Sequence, residues 1–316
     1  MATVPELDPP AVAELGARLK ENVARAVKAP DGVMRDLLVA LIGEGHVLIE
    51  DYPGVGKTAL ARALARSIDA EYARVQCTAD LLPADVVGTN VFNQRENRFE
   101  FRPGPVFANV VLVDEVNRAS PKTQSGLLEC MQERHVTVDK HTHELARPFI
   151  VLATQNPIEY EGTYPLPEAQ LDRFMVRVSL GYPEAAAEAD MLAAHADHDR
   201  VLDLEAVTDV GDVLAAQAGA AAVHGSDALR RYIVGVLDAT RADPRVELGA
   251  SPRAGLMLFR AAKALAALEG RHHALPDDVQ ALAPSVLTHR VLLAPDAAGD
   301  DRAAVVRDAL DRVPAL

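Results

Sequence analysis

Aromatic residues make up only 4% of this 316-residue sequence, and there are just two cysteines. No apolar run approaches the ~20 residues that a membrane-spanning helix needs. The opening Met1-Ala2-Thr3-Val4-Pro5-Glu6 lacks the basic and apolar regions of a signal peptide, so a cytoplasmic location is expected. An excess of positive charge is also missing: 32 Lys and Arg stand against 46 Asp and Glu, a net charge of -14. Broad nucleic-acid affinity is therefore not expected, because neutralising phosphates requires a basic footprint, and no helix-turn-helix or zinc module is legible. Cys77 and Cys130 sit alone in apolar or helical surroundings, which points to structural burial rather than a metal or redox site. The histidines His141 and His143, His195 and His198, and His272 and His273 come in pairs with no third ligand at any of them, whereas catalytic zinc wants three. There is no internal repeat and no long low-complexity tract. What remains is a 49% hydrophobic chain rich in Ala, Leu and Val, the profile of a helix-rich soluble protein, with length for two domains.

The most informative run is Glu50-Asp51-Tyr52-Pro53-Gly54-Val55-Gly56-Lys57-Thr58. Val47, Leu48 and Ile49 before it read as a short buried strand, and Leu60, Ala61, Leu64, Ala65 and Ile68 after it recur at helical spacing. A glycine-rich loop between strand and helix can cradle phosphate, since Gly54 and Gly56 let the backbone approach closely and the helix offers the positive end of its dipole. Lys57 would reach the β- and γ-phosphates and Thr58 would hold Mg²⁺. Asp51, Pro53, Gly54, Val55, Gly56, Lys57, Thr58 and Ala59 are the candidate nucleotide contacts. Asp51 stands where the general phosphate-loop pattern has its first glycine.

A second apolar run, Val110-Val111-Leu112-Val113, ends in Asp114-Glu115. Successive strand residues point to opposite sides, so the two carboxylates take different work. Asp114 is assigned to the magnesium shell and Glu115 to the attacking water. A third run, Phe149 to Thr154, leads into Gln155-Asn156-Pro157. The carboxyl ends of parallel strands are where ligands bind, so Asn156 is a candidate for the γ-phosphate or its water, with Thr154 a weaker one. Arg173 follows a short helical stretch and precedes an alternating strand from Met175 to Leu180. Ser251-Pro252-Arg253-Ala254 has a helix-start signature that puts Arg253 in a first turn. A cation there opposes the helix dipole, which suggests an anionic partner such as bound nucleotide.

Up to Tyr182, strands alternate with helices, as in a parallel α/β sheet, and after Pro183 only helical periodicity continues. Helices are expected over Pro9 to Lys28, Glu184 to His195, Ala228 to Ala239 and Arg253 to Leu268, and another from Ser120 carrying Leu127, Leu128 and Met131. Pro30-Asp31-Gly32 reads as a break. The expected division is residues 1–182, an α/β nucleotide-binding domain, and 183–316, an all-α domain. Phe92 to Pro103 reads as a hairpin bearing Arg95, Arg98 and Arg102, either a partner or substrate contact or an ordinary solvated hairpin.

The ordered set of the phosphate loop, Asp114-Glu115-x-Asn117-Arg118-Ala119, Ala153-Thr154-Gln155-Asn156-Pro157, Leu166-Pro167-Glu168-Ala169-Gln170-Leu171-Asp172-Arg173-Phe174 and Ser251-Pro252-Arg253-Ala254 resembles the MoxR family of AAA+ ATPases over nearly the whole chain. Asp51 at the first loop position is itself the form that this family has. The resemblance implies an αβα nucleotide-binding domain, a helical lid, ATP with Mg²⁺ at subunit boundaries, and a homo-oligomeric, hexameric ring. It further implies chaperone-like work on protein complexes, often with partners carrying von Willebrand factor A domains. By motif, Asn156 corresponds to sensor 1, Arg173 to the arginine finger that reaches a neighbour's ATP, and Arg253 to the sensor 2 arginine of the lid. Arg118 and Arg177 are alternatives for the finger. An ATP-dependent DNA motor or loader shares the same core and is the alternative function. A scaffold that binds nucleotide without hydrolysis is disfavoured by the presence of both Asp114 and Glu115.

Overall fold

The computed structural model describes residues 5–156, 162–182, 199–297, 299 and 301–315. Two helices open the chain, α1 (Pro9–Ala26) and α2 (Asp31–Ile42). The Pro30-Asp31-Gly32 run that reads as a break is where α2 starts. Helix α1 is capped by Asp8, whose side chain accepts from Ala11, and buries Val12, Leu15, Leu19 and Val23, a stripe at three- and four-residue spacing.

Then comes the sheet unit: β1 (Val47–Glu50), α3 (Lys57–Ser67), β2 (Tyr72–Gln76), α4 (Pro83–Val87), the hairpin β3 (Gly88–Asn93) and β4 (Arg98–Pro103), and β5 (Val110–Asp114). Helix α5 (Pro121–Glu133), capped by Ser120, leads to a second hairpin, β6 (His135–Val138) and β7 (His141–Glu144), followed by β8 (Ile150–Gln155), α6 (Glu168–Leu171) and β9 (Val176–Val178). Five strands form one parallel sheet in the order β2-β5-β8-β1-β9. Strand β9 is shorter than the alternation from Met175 to Leu180 suggests.

The apolar runs of β1, β5 and β8 are continuous because both faces of a parallel sheet are covered, yet their side chains still divide with period two. Val47, Ile49, Val110, Leu112, Ile150 and Leu152 join one cluster with α1, α2, α3 and the later helices. Leu48, Val111, Val113, Val151 and Ala153 join the other, with Leu127, Leu128, Met131, Cys77, Cys130 and Phe174. Burial pushes both thiols up to about 12, so neither is a nucleophile near neutral pH.

The later elements are α7 (Val210–Ala222), α8 (Asp227–Arg241), β10 (Val246–Leu248), α9 (Pro252–Leu268), α10 (Pro276–Leu287), β11 (Leu292–Leu293) and α11 (Arg302–Arg312), with β10 and β11 antiparallel. The helices expected over Ala228 to Ala239 and Arg253 to Leu268 are α8 and α9. The helix expected over Glu184 to His195 lies outside the described residues, as do His195 and His198. Helix α1 packs on α3, α7 and α9, so the chain's first helix shares its core with the last domain. At Gly16 the packing is tight: a Cβ there would lie 2.5 Å from Leu268 Cδ2. No helix among the described residues is long and apolar enough to cross a membrane.

The β3–β4 hairpin pairs in register from Gly88 with Pro103 to Asn93 with Arg98. Its outer rings Phe92 and Phe99 are exposed and 5.3 Å apart, while Phe101 stacks on His143 of β7 at 3.9 Å. Among the described residues no group of three or more His, Cys, Asp or Glu is placed to hold a metal.

Candidate active site

Strand β1 delivers the chain into a loop with two residues in left-handed backbone, Gly54 at φ 85° and Gly56 at φ 95°. Nothing lies within 4 Å of a Cβ built on either, so backbone conformation rather than crowding requires glycine, and the space beside them is open. Gly56 is the N-cap of α3, whose free N-H groups face that space. Lys57 Nζ donates to the Asp51 carbonyl at 3.0 Å, which holds the ammonium over the loop. Pro53, Gly54, Gly56, Lys57, Thr58 and Ala59 line a cleft of about 600 Å³, within the usual range for a small-molecule site. Val55 turns the other way and packs against the apolar cluster.

The Asp51 carboxylate also turns away from the cleft. It is 3% exposed and accepts from Ser179 Oγ at 3.0 Å, from Gly181 N at 3.2 Å and from Leu180 N. A buried carboxylate without partners costs several kcal/mol, and three donors from one turn offset that. A glycine at this position would leave the turn after β9 unheld, which is the physical reason for the departure from the general loop pattern. Tyr52 continues the link by stacking on Tyr182 at 5.4 Å.

The opposite wall is made where β5 and β8 end. Asp114 Oδ1 accepts from Thr154 Oγ1 at 2.6 Å, and Thr154 Oγ1 accepts from the Glu115 N-H at 2.9 Å. Thr154 is fully buried, so this hydroxyl fixes both carboxylate residues instead of facing phosphate. Strand β5 stops at Asp114, and Glu115 lies in left-handed backbone at φ 55° and ψ 51°. The two carboxylates thus diverge because of a strained turn at the strand end, not because of strand alternation. Glu115 Oε2 accepts from Gln76 Nε2 and from Arg118 at 3.0 Å each. Both hold the same oxygen, which leaves Oε1 for a water.

Asp114, Glu115 and Asn156 line the same cleft as the glycine loop. Three further lining residues carry no motif: Arg62 on α3, Arg74 on β2 and Asp199. Arg62 pairs with Asp199 at 2.7 Å, and Arg74 reaches Asp114 Oδ2 at 2.7 Å. Only the alternation of Arg74 with Val75 on a sheet strand hints at them in sequence. The Thr58 hydroxyl and the Asp114 carboxylate are hard oxygen donors on facing walls, a set that suits magnesium and offers no soft ligand.

The arginines are sorted by their contacts. Arg118 is paired with Glu115, and Arg177 with Glu50 at 2.7 Å. Neither Arg173 nor Arg253 is among the residues lining the cleft. Arg173 Nε is buried with no hydrogen-bond partner. Arg253 lies in the first turn of α9, as its signature predicts, with Ser251 as N-cap accepting from Ala254 N at 3.1 Å. That N-cap is docked on Asp172, to which Ser251 Oγ donates at 3.0 Å. The start of the lid helix therefore sits against the Arg173 loop.

A five-stranded parallel sheet, a glycine loop opening a helix, paired carboxylates at the end of the strand next but one and a helical second unit define an AAA+ ATPase. Residues 46–176 match the ATPase family associated with various cellular activities (AAA), and residues 238–309 match the AAA lid domain. The chain is 50% identical to the uncharacterized protein YeaC of Bacillus subtilis over 93% of this chain and 92% of that one. It is 41% identical to Chaperone MoxR1 of Mycobacterium tuberculosis over 89% of this chain and 76% of that one. A solved "putative ATPase" from Cytophaga hutchinsonii superposes with a TM-score of 0.90 at 36% identity, covering 98% of this chain and 97% of that one. The chain belongs to the MoxR family of AAA+ ATPases.

Proposed function

We propose that this ATPase hydrolyses ATP at boundaries between copies of itself in a cytoplasmic, hexameric ring, and uses the cycle for chaperone-like remodelling or maturation of protein complexes. The observation that carries the reading is the division of the arginines: the cleft holds the phosphate loop, Asp114, Glu115 and Asn156, while Arg173 lies outside it with an unpartnered Nε. A neighbouring copy would supply Arg173. Lys57 and the α3 N-terminus bind the phosphates, Asn156 orients the γ-phosphate or its water, and Glu115 takes the proton of the attacking water. Thr58 and Asp114 would hold Mg²⁺, which supplies charge neutralisation on the phosphate oxygens when bound. Before that, Asp114 must exchange its contact with Arg74.

The remodelling role rests on family membership and on a relative named as a chaperone. We assign client contact to the β3–β4 hairpin with its exposed Phe92 and Phe99, and a von Willebrand factor A domain protein to the partner role. Capture with Glu115→Gln, which should hold ATP without turnover, tests this: a protein retained only with ATP and lost on Phe99→Ala is the expected result. Equal retention with and without ATP contradicts it. Specific activity should also rise with protein concentration as copies assemble; activity independent of concentration in a monomeric sample contradicts the shared site.

A further inference from the structure

We infer that Asp172 is a positioning residue that registers Arg173 and the lid arginine Arg253 as a single array directed at a neighbouring copy's nucleotide. The inference rests on the shared-site reading above and names the group that sets its geometry.

Asp172 precedes Arg173 and is gripped from the lid twice. Its Oδ1 accepts from Arg290 Nε at 2.7 Å, and its Oδ2 accepts from Ser251 Oγ at 3.0 Å. Arg290 directly follows α10 and its turn, and its side chain is 1% exposed. It also donates to the backbone carbonyls of Asp172 at 3.0 Å, Phe174 at 2.6 Å and Met175 at 3.2 Å, the segment running from Arg173 into β9. His289 Nε2 adds a contact to the Phe174 carbonyl at 3.1 Å. The lid thus holds the backbone on both sides of Arg173, and one carboxylate joins that grip to the N-cap of the helix bearing Arg253. Arg253 lies two residues after that N-cap, in the first turn of the helix.

Burial of this kind is more than stability requires. A buried ion pair seldom stabilises more than apolar residues of similar volume would, so a pair kept here is better accounted for by geometry it enforces. Two buried side-chain polar atoms of this region, Gln170 Oε1 and Arg173 Nε, have no hydrogen-bond partner among the described residues. An arginine whose Nε is tied to nothing among the described residues is held in place by its backbone, which is the part that the lid grips. A neighbour's triphosphate presents the acceptors that two arginines seek.

The test uses the full-length protein with ATP. Asp172→Asn keeps the shape and removes the charge; kcat should fall about 10- to 100-fold, the order expected of an ångström-scale misplacement, while KM for ATP changes less than about two-fold. Ser251→Asp retains an N-cap but sets a second carboxylate against Asp172, and it should give the same split with α9 intact by circular dichroism. Mixed rings then locate the defect. Asp172→Asn subunits keep a sound phosphate loop, and Lys57→Ala subunits keep a sound arginine array, so mixing the two should restore activity. The control mixes Arg173→Ala with Lys57→Ala. Recovery in the control without recovery for Asp172→Asn overturns the positioning role. Failure of the control, with mixed rings verified, overturns the shared-site reading and the inference with it. Wild-type kcat in both single variants also overturns the inference.

Discussion

The two parts of the proposed shared site, the cleft and the Arg173 edge, are built on opposite plans. In the cleft, charged groups find partners inside the chain: Asp114 has Thr154 and Arg74, Glu115 has Gln76 and Arg118, Lys57 has a carbonyl, and Arg62 has Asp199. At the edge formed by the Arg173 loop and the lid, the scaffold is tightly bonded through Asp172 and Arg290, while Arg173 Nε has no partner among the described residues. A self-satisfied cleft can bind nucleotide alone. An edge whose backbone is held rigidly around an arginine suits delivery of charge to something outside the chain. Within one subunit the comparison predicts binding without fast hydrolysis.

The variant that should separate the two plans most sharply is Arg173→Ala. A trans arginine is worth on the order of 10³ or more in rate in well-studied phosphoryl transfer, so turnover should drop by that order while ATP affinity, measured by calorimetry, stays near wild type. Glu115→Gln acts within the cleft instead. Loss of a general base costs about 10²- to 10⁴-fold, so single-turnover hydrolysis should slow by that order with binding retained, whereas Lys57→Ala should lose binding itself.

A smaller effect is expected at Asp51. Asp51→Asn keeps the size but weakens three accepted bonds, so the turn at residues 179–181 should loosen, seen as faster amide exchange there, with turnover reduced about tenfold through displacement of the loop. Unchanged exchange would remove the clamp from the account.

Acid should act on the arginine edge as well. Burial holds His289 well below its ordinary range, with the Arg290 charge adding to the effect. The unfolded chain takes up this proton as pH falls through about 6.5, while the folded chain resists it, so stability is present above that pH and is lost as pH falls below it. Each such histidine contributes a slope of about 1.4 kcal/mol per pH unit in that window. His46, held at about 4 by burial, behaves alike at the same amino end of the sheet, where its carbonyl accepts from Met175 N. Urea unfolding between pH 6.5 and 5 should therefore show a shallower slope for His289→Gln by about one proton, and an unchanged slope would place His289 in a more solvated setting.

Much of this was legible in the sequence because it is local. The phosphate loop, the runs of β1, β5 and β8, and the Ser251 cap each sit in a short window whose spacing states its structure. The roles that depend on distant neighbours were not legible. Asp51 reads as an irregular phosphate loop until its carboxylate meets residues 128–130 positions onward. Thr154 reads as a phosphate contact until Asp114 claims its hydroxyl, and Arg62, Arg74 and Asp199 reach the cleft from elements with no motif. The docking of α9 on Asp172 through Ser251 is likewise a tertiary fact that a capping signature does not contain.

The central claim is that the active site is shared between copies of the chain, and it is tested most directly by mixing two inactive variants. Lys57→Ala subunits retain Arg173, and Arg173→Ala subunits retain the phosphate loop. With mixed assemblies verified by mass measurement, the account predicts that ATP hydrolysis reappears as the two are combined and passes through a maximum at intermediate ratio. No recovery at any ratio would contradict it and would return the catalytic arginine to the chain whose nucleotide it serves.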